Sequence, residues 1–259
     1  MAALGPDAAN QHDESRPVLV VLVHGGSHGS WCWDPVVAGL QDVGVEVQTV
    51  ELPLDTLSED TEVVRTAVRA GTDSGKAVVL VGHSYGGLVI SAGGHEADHL
   101  VYVAAIVPEA GDTGASSVAG AGTPELAKCM GISDDGSSVV LNEHAAEAFY
   151  GRCTEDVARS AMGRLRPQGM GTMNEEIGEP AWSSVSASYV MTLHDLAINR
   201  AYQEAAVQRL GVAVALESDH SPFYSATAEL VDHLVLIAQA CGTGTEIPGA
   251  AGLDDLASA

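Results

Sequence analysis

Val78-Val79-Leu80-Val81-Gly82-His83-Ser84-Tyr85-Gly86-Gly87 decides how this chain is read. An apolar, β-branched run leads into Gly-x-Ser-x-Gly, and a helix-compatible segment follows. A sharp turn from strand to helix needs that order. Gly82 and Gly86 supply positions where a side chain would clash, and Ser84 is held up at the end of a strand with its hydroxyl exposed. A serine so placed suits attack on a carbonyl.

Working outward, further apolar runs occupy 18–23, 45–50, 100–107, 189–193 and 212–216. They are short and continuous, as strands buried on both faces are. Segments near 33–43, 59–71, 85–97, 200–210 and 225–240 fit helices. Strand alternating with helix predicts an α/β fold with a mostly parallel, doubly wound sheet. Residues 110–185 break this rhythm and read as an inserted helical cap over the carboxyl edge of the sheet. Thr123-Pro124-Glu125 looks like the start of a helix within it. The expected division is a core of 17–109 and 186–241, a cap of 110–185, and flexible tails at 1–16 and 242–259.

The chain has 259 residues, 46% of them hydrophobic, enough for one sizeable domain with an insertion or for two small domains. Lys and Arg total 11 against 35 Asp and Glu, a formal net charge of −24. Phosphate backbones and anionic membranes are poor partners for such a surface. No apolar run is as long as a membrane span, and residues 1–16 lack the pattern of a secretion signal, so a cytoplasmic location is expected. Cys32, Cys129, Cys153 and Cys241 have no metal-ligand spacing and are expected as free thiols, with a Cys129–Cys153 bridge left open.

A serine nucleophile needs a general base, and the base needs a carboxylate to orient it. His220 follows the last expected strand and is the candidate base. Asp195 follows the strand before it and is the candidate acid, with Glu109, Asp112 and Asp219 as rivals. Asp219 reads as an ordinary loop carboxylate. His233 falls mid-helix, as a solvated or packed residue. The oxyanion formed during attack needs backbone donors: the N–H of Tyr85, after the nucleophile, and that of Gly26 in His24-Gly25-Gly26, after the first strand.

Together these residues resemble the α/β-hydrolase superfamily, and more narrowly the plant methylesterase and hydroxynitrile lyase group with its bacterial esterase relatives. The resemblance rests on the opening at 21–33, the elbow at 82–87, Val101-Tyr102-Val103-Ala104-Ala105, the stretch 189–195, and Asp219-His220-Ser221-Pro222-Phe223. It implies the α/β-hydrolase fold, a Ser84, Asp195 and His220 triad, and an oxyanion hole at Gly26 and Tyr85. The lyases carry a threonine and a lysine where this chain has Gly25 and Ser221, so cyanide would have no cation to depart to. Within 110–185 the chain departs from the plant proteins. There Phe149-Tyr150-Gly151-Arg152-Cys153 and Arg164-Leu165-Arg166-Pro167-Gln168 look more like bacterial members.

The expected function is a serine esterase cleaving a small to medium, mostly apolar carboxylic ester or lactone through an acyl-enzyme, with no cofactor or metal. Two alternatives stay open. One is a lyase, elimination or cyclisation enzyme of a biosynthetic pathway using the same Ser-His pair. The other is a non-catalytic small-molecule binding protein. The partner expected is the small molecule, with a homodimer left open. His95-Glu96-Ala97-Asp98-His99 matches a zinc-site spacing. The preceding glycines and the strand beginning at Leu100 remove the helix such a site needs, and the motif reads as a solvated helix end. Gly71-Thr72-Asp73-Ser74-Gly75-Lys76-Ala77 precedes a strand rather than a helix and reads as a turn. Met130, Met162, Met170 and Met173 read as core filling more than pocket lining. Trp31, Trp33 and Trp182 are candidates to approach the site. Arg164 and Arg166 are expected in surface salt bridges.

Overall fold

The structure, a computed structural model, describes residues 15–211 and 213–247. In chain order its core begins β1 (Val18–Val23), α1 (Asp34–Asp42), β2 (Glu46–Val50), α2 (Leu57–Asp73), β3 (Ala77–His83), α3 (Gly86–Gly93) and β4 (His99–Val103). An inserted segment then carries α4 (Gly114–Ala121), α5 (Pro124–Cys129), β5 (Met130–Ile132), β6 (Ser138–Leu141), α6 (Ala145–Tyr150), α7 (Glu155–Met162), β7 (Gln168–Gly169) and α8 (Gly171–Asn174). The core resumes with β8 (Ala187–Thr192), α9 (Arg200–Leu210), β9 (Ala213–Leu216), α10 (Pro222–Ser225) and α11 (Thr227–Thr243).

Six strands form one sheet in the order β2-β1-β3-β4-β8-β9, with every pairing parallel. Side chains alternate across it. Leu19, Val21, Val23, Val78 and Leu80 pack with Val64 and Val68 of α2 and Leu88 and Ile90 of α3. Val20, Leu22, Val79 and Val81 pack on the other face with Leu40 of α1 and Leu230, Leu234 and Ile237 of α11. Both faces are covered, which is why these strands read as unbroken apolar runs rather than as alternation. Helix starts are capped in the ordinary way: Thr56, Thr123 and Asn199 each accept a backbone N–H of the first turn.

Three expectations change. The run 100–107 leaves the sheet at Val103, because Ala104 turns the backbone to a φ of 43°. It stays apolar because it stays buried: Ala105 N–H donates to the Tyr189 hydroxyl, and Ile106 N–H to the Ser84 carbonyl. The helix expected to 97 stops at Gly93, where a Cβ on Gly94 would lie 2.6 Å from the Ile90 carbonyl. The inserted segment is not only helical. β5, β6 and β7 form a small antiparallel sheet, its strands too short to show a period. The expected tails lie largely outside the described residues, but Arg16 N–H donates to the Gly242 carbonyl and α11 runs through Thr243, so structure reaches into the inner end of both. All four cysteines are free, so Cys129 and Cys153 are not bridged.

Candidate active site

β3 delivers Ser84 into a turn that few residues tolerate. Its φ is 52°, in the left-handed region. The backbone is pinned there by Ser84 N–H donating to the Val103 carbonyl, and by the Ser84 carbonyl accepting from Gly87 and Ile106. The flanking glycines are required by contact. A Cβ on Gly82 would stand 2.6 Å from the Gly86 carbonyl, and one on Gly86 would stand 2.8 Å from the His24 carbonyl.

β8 delivers Asp195 and β9 delivers His220. His220 Nδ1 lies 2.9 Å from Asp195 Oδ2, with both side chains almost fully buried. The same carboxylate accepts the Thr192 hydroxyl at 2.8 Å and the N–H groups of Ala197 and Ile198 at 2.7 and 2.9 Å. A buried carboxylate so fully bonded is fixed in place, and it fixes the ring that donates to it. The rivals are elsewhere. Asp112 accepts from Glu109 N–H and the Ser116 hydroxyl, and Glu109 pairs with Arg209.

His220 is held against the elbow by His83. The rings lie 4.7 Å apart, and His83 Nε2–H donates to the His220 carbonyl at 2.7 Å. Among the described residues no hydrogen bond closes between the Ser84 hydroxyl and the His220 ring. Burial holds the His83 ring well below the ordinary histidine range, so it packs there uncharged.

The loop after β1 is equally constrained. His24 accepts Leu52 N–H at Nε2 and donates from Nδ1 to the Gly25 carbonyl. His28 donates from Nδ1 to the Gly26 carbonyl and accepts the Tyr150 hydroxyl at Nε2. Burial lowers their pKa values to about 4 and about 3, so both are neutral struts. Among the described residues, the N–H groups of Gly26 and Tyr85 have no protein acceptor. Both residues line one cavity with Ser84. Two free backbone donors beside an exposed serine can bind an oxygen that becomes negative.

The cavity is small, about 60 Å³. Its far wall comes from the inserted segment, with Val118, Leu126, Val139 and Phe149 among the apolar groups and no charged side chain among its lining.

A model of the alpha/beta hydrolase family matches residues 20–233. The chain belongs to the alpha/beta hydrolase family. This alpha/beta hydrolase is 27% identical over 252 residues to alpha/beta hydrolase nvfD of Aspergillus novofumigatus, covering 88% of this chain and 98% of that one. It is 25% identical over 257 residues to methylesterase 2 of Arabidopsis thaliana, covering 87% and 98%. Among solved structures, a pyrethroid hydrolase from Sphingobium faniae superposes with a TM-score of 0.73 at 21% identity, covering 86% of this chain and 98% of that one.

Several residues of this hydrolase do more than their sequence context suggested. Asp219 is buried. Its carboxylate accepts Ser221 N–H and the Ser225 hydroxyl on one oxygen and Arg152 N–H on the other, tying the inserted segment to the histidine loop. Arg166 is no simple surface ion pair. Its backbone N–H donates to the Ser27 carbonyl, its Nε to the His28 carbonyl, and its Nη2 to Glu51 and Leu52. Arg164 lies over the Trp31 ring, which stacks on His28. Trp31 therefore backs the loop instead of lining the cavity, Trp33 is buried beneath His83, and Trp182 donates to the Pro108 carbonyl. Met173 belongs to the buried core and Met130 packs against it, as expected, and both also line the cavity. His99 is a buried first residue of β4, bonded to Ser186 and Ser188, so the zinc-like motif neither ends a solvated helix nor lies on one. Among the described residues no group of three or more His, Cys, Asp or Glu could hold a metal ion. No helix there is long and apolar enough to cross a membrane.

Proposed function

We propose that this hydrolase cleaves a carboxylic ester or lactone through an acyl-enzyme on Ser84. The observation that carries this reading is the His220–Asp195 bond of 2.9 Å, delivered by adjacent strands to the sheet edge where Ser84 stands. His220 takes the Ser84 proton as Oγ attacks the carbonyl, and returns it to the leaving alcohol. Asp195 holds the ring so that Nε2 is the free acceptor and steadies the imidazolium. The tetrahedral oxyanion rests on the N–H groups of Gly26 and Tyr85. Water, deprotonated by His220, then releases the acid. Catalytic hydrogen bonds are commonly loose before substrate binds, which accommodates the open Ser84–His220 pair.

Esterase names among the relatives support the reaction class, and the apolar wall supports a mostly apolar acyl or alcohol group. The chain's departures from the lyases argue against cyanohydrin cleavage. A Cβ at Gly25 would stand 2.8 Å from His83 Nδ1 and 3.0 Å from Ser84 Cβ, which leaves no room for threonine. Ser221 is buried and carries no charge.

The test is hydrolysis of a short-chain nitrophenyl ester by wild type and Ser84→Ala, side by side and without added metal. Turnover by the wild type alone supports the proposal. Equal turnover by both would remove Ser84 from the mechanism.

A further inference from the structure

Gln168 is the one amide side chain lining the cavity, and its orientation follows from its neighbours. It is 4% exposed, in β7, paired in register with Val139. The Thr172 hydroxyl donates its single proton to the Gly169 carbonyl at 2.8 Å. It therefore accepts at its oxygen, and the group donating to it is Gln168 Nε2–H at 2.9 Å. That bond fixes which end of the amide is nitrogen.

Oε1 is then turned to Gly26. A Cβ added to Gly26 would lie 2.2 Å from it, so only a glycine leaves room for this oxygen. Among the described residues no N–H or O–H donates to Oε1. A Cα–H contact is a weak substitute for such a donor. The chain fixes this placement from both sides: Arg166 N–H is bonded to the Ser27 carbonyl, and Gly169 N–H to the Leu54 carbonyl. Oε1 is an acceptor without a protein donor that opens onto the cavity, held rigidly at the rim of the proposed oxyanion hole, where a bound molecule would displace its water.

We infer that Gln168 is a specificity-determining residue whose Oε1 accepts a hydrogen bond from a hydroxyl on the carbon next to the scissile carbonyl. The preferred substrates are thus 2-hydroxy esters or lactones. The position follows from covalent reach. A Cβ on Gly26 would meet Oε1, so Oε1 stands beside the residue whose N–H would hold the carbonyl oxygen, within reach of a donor on the atom adjoining the carbonyl. A methylene there leaves Oε1 dry and unpaired. Sites built to bond a hydroxyl reject the analogue that lacks it more strongly than apolar pockets reject an added one. This inference rests on the assignment of Ser84, Gly26 and Tyr85 as the reacting centre.

The test compares methyl 2-hydroxyhexanoate with methyl hexanoate as substrates of wild type and Gln168→Met, both checked for an intact thermal transition. Intrinsic reactivity differs between the esters but cancels when the two enzymes' selectivity ratios are compared. Wild type is expected to favour the hydroxy ester about tenfold more than the variant does. An equal ratio in both enzymes overturns the inference. Calorimetric binding of both esters to Ser84→Ala, with and without Gln168→Met, reads the contact independently of turnover. A preference of about tenfold for the hydroxy ester, lost with Gln168, upholds it even if neither ester is hydrolysed. That outcome would leave the esterase proposal alone in failure. Equal affinities would overturn the role of Gln168 while hydrolysis by the wild type upheld the rest.

Discussion

At the scale of single residues the candidate site is a set of over-determined positions. Ser84 holds a left-handed backbone because its N–H is bonded to the last residue of β4 and its carbonyl to Ile106 just beyond. Asp195 accepts from Thr192, Ala197, Ile198 and His220 at once. An Asp195→Asn variant keeps the shape but turns a donor toward His220 and selects the wrong ring tautomer. We expect it to remain folded and to lose about 10³- to 10⁴-fold in kcat/KM. Melting temperature and ester turnover measured on one preparation check this, and a loss below tenfold would show that Asp195 does not orient the base. These three residues were legible because each follows an apolar strand run, and sheets of this kind gather such positions at one edge. Asp219 was not legible. A carboxylate beside a histidine in a loop looks solvated until the chain that buries it is known, and here the cover is Arg152, from the inserted segment.

Among the elements, the core was readable and the insertion was not. β1 and β3 are recovered almost to the residue because burial on both faces leaves a continuous apolar signature. The same signature overran the end of β4, since 104–107 are as buried as a strand without being one. β5 to β7 number three, four and two residues, too few for any alternation to register. Arg166, just before β7, shows what was missed: it braces the loop after β1 through the carbonyls of Ser27 and His28. Arg166→Ala should free that loop and lower kcat about tenfold with a smaller change in KM, because a donor displaced by even a fraction of an ångström stabilises an oxyanion poorly. Arg166→Lys should rescue little, since one ammonium cannot reproduce the planar fork. Steady-state kinetics of both variants decide this. Wild-type kcat in Arg166→Ala would mean the loop holds its own shape.

For the whole molecule, the parallel sheet places Ser84, Asp195 and His220 at the ends of β3, β8 and β9, and several histidines are buried in the fold around it. Burial lowers His24 and His99 to about 4 and His28 to about 3. In the unfolded chain each takes up a proton near pH 6.5. As pH falls through that value the unfolded state gains protons that the folded state refuses, so stability falls. Each histidine contributes about 1 kcal/mol of loss between pH 7 and 5.5. Asp60, buried against Tyr85 and raised to about 6 mainly by desolvation, acts in the opposite direction and offsets less than one of them. Urea unfolding should therefore show lower stability at pH 5.5 than at pH 7, and equal or higher stability would contradict the neutral-histidine account. The central claim is the covalent step on Ser84. Its most direct test is intact-mass analysis of wild type quenched within the first turnover of an activated ester. The account predicts a mass gain of one acyl group, mapped to the peptide holding Ser84 and absent from Ser84→Ala. Continued turnover with no adduct, or an adduct on another residue, would contradict it.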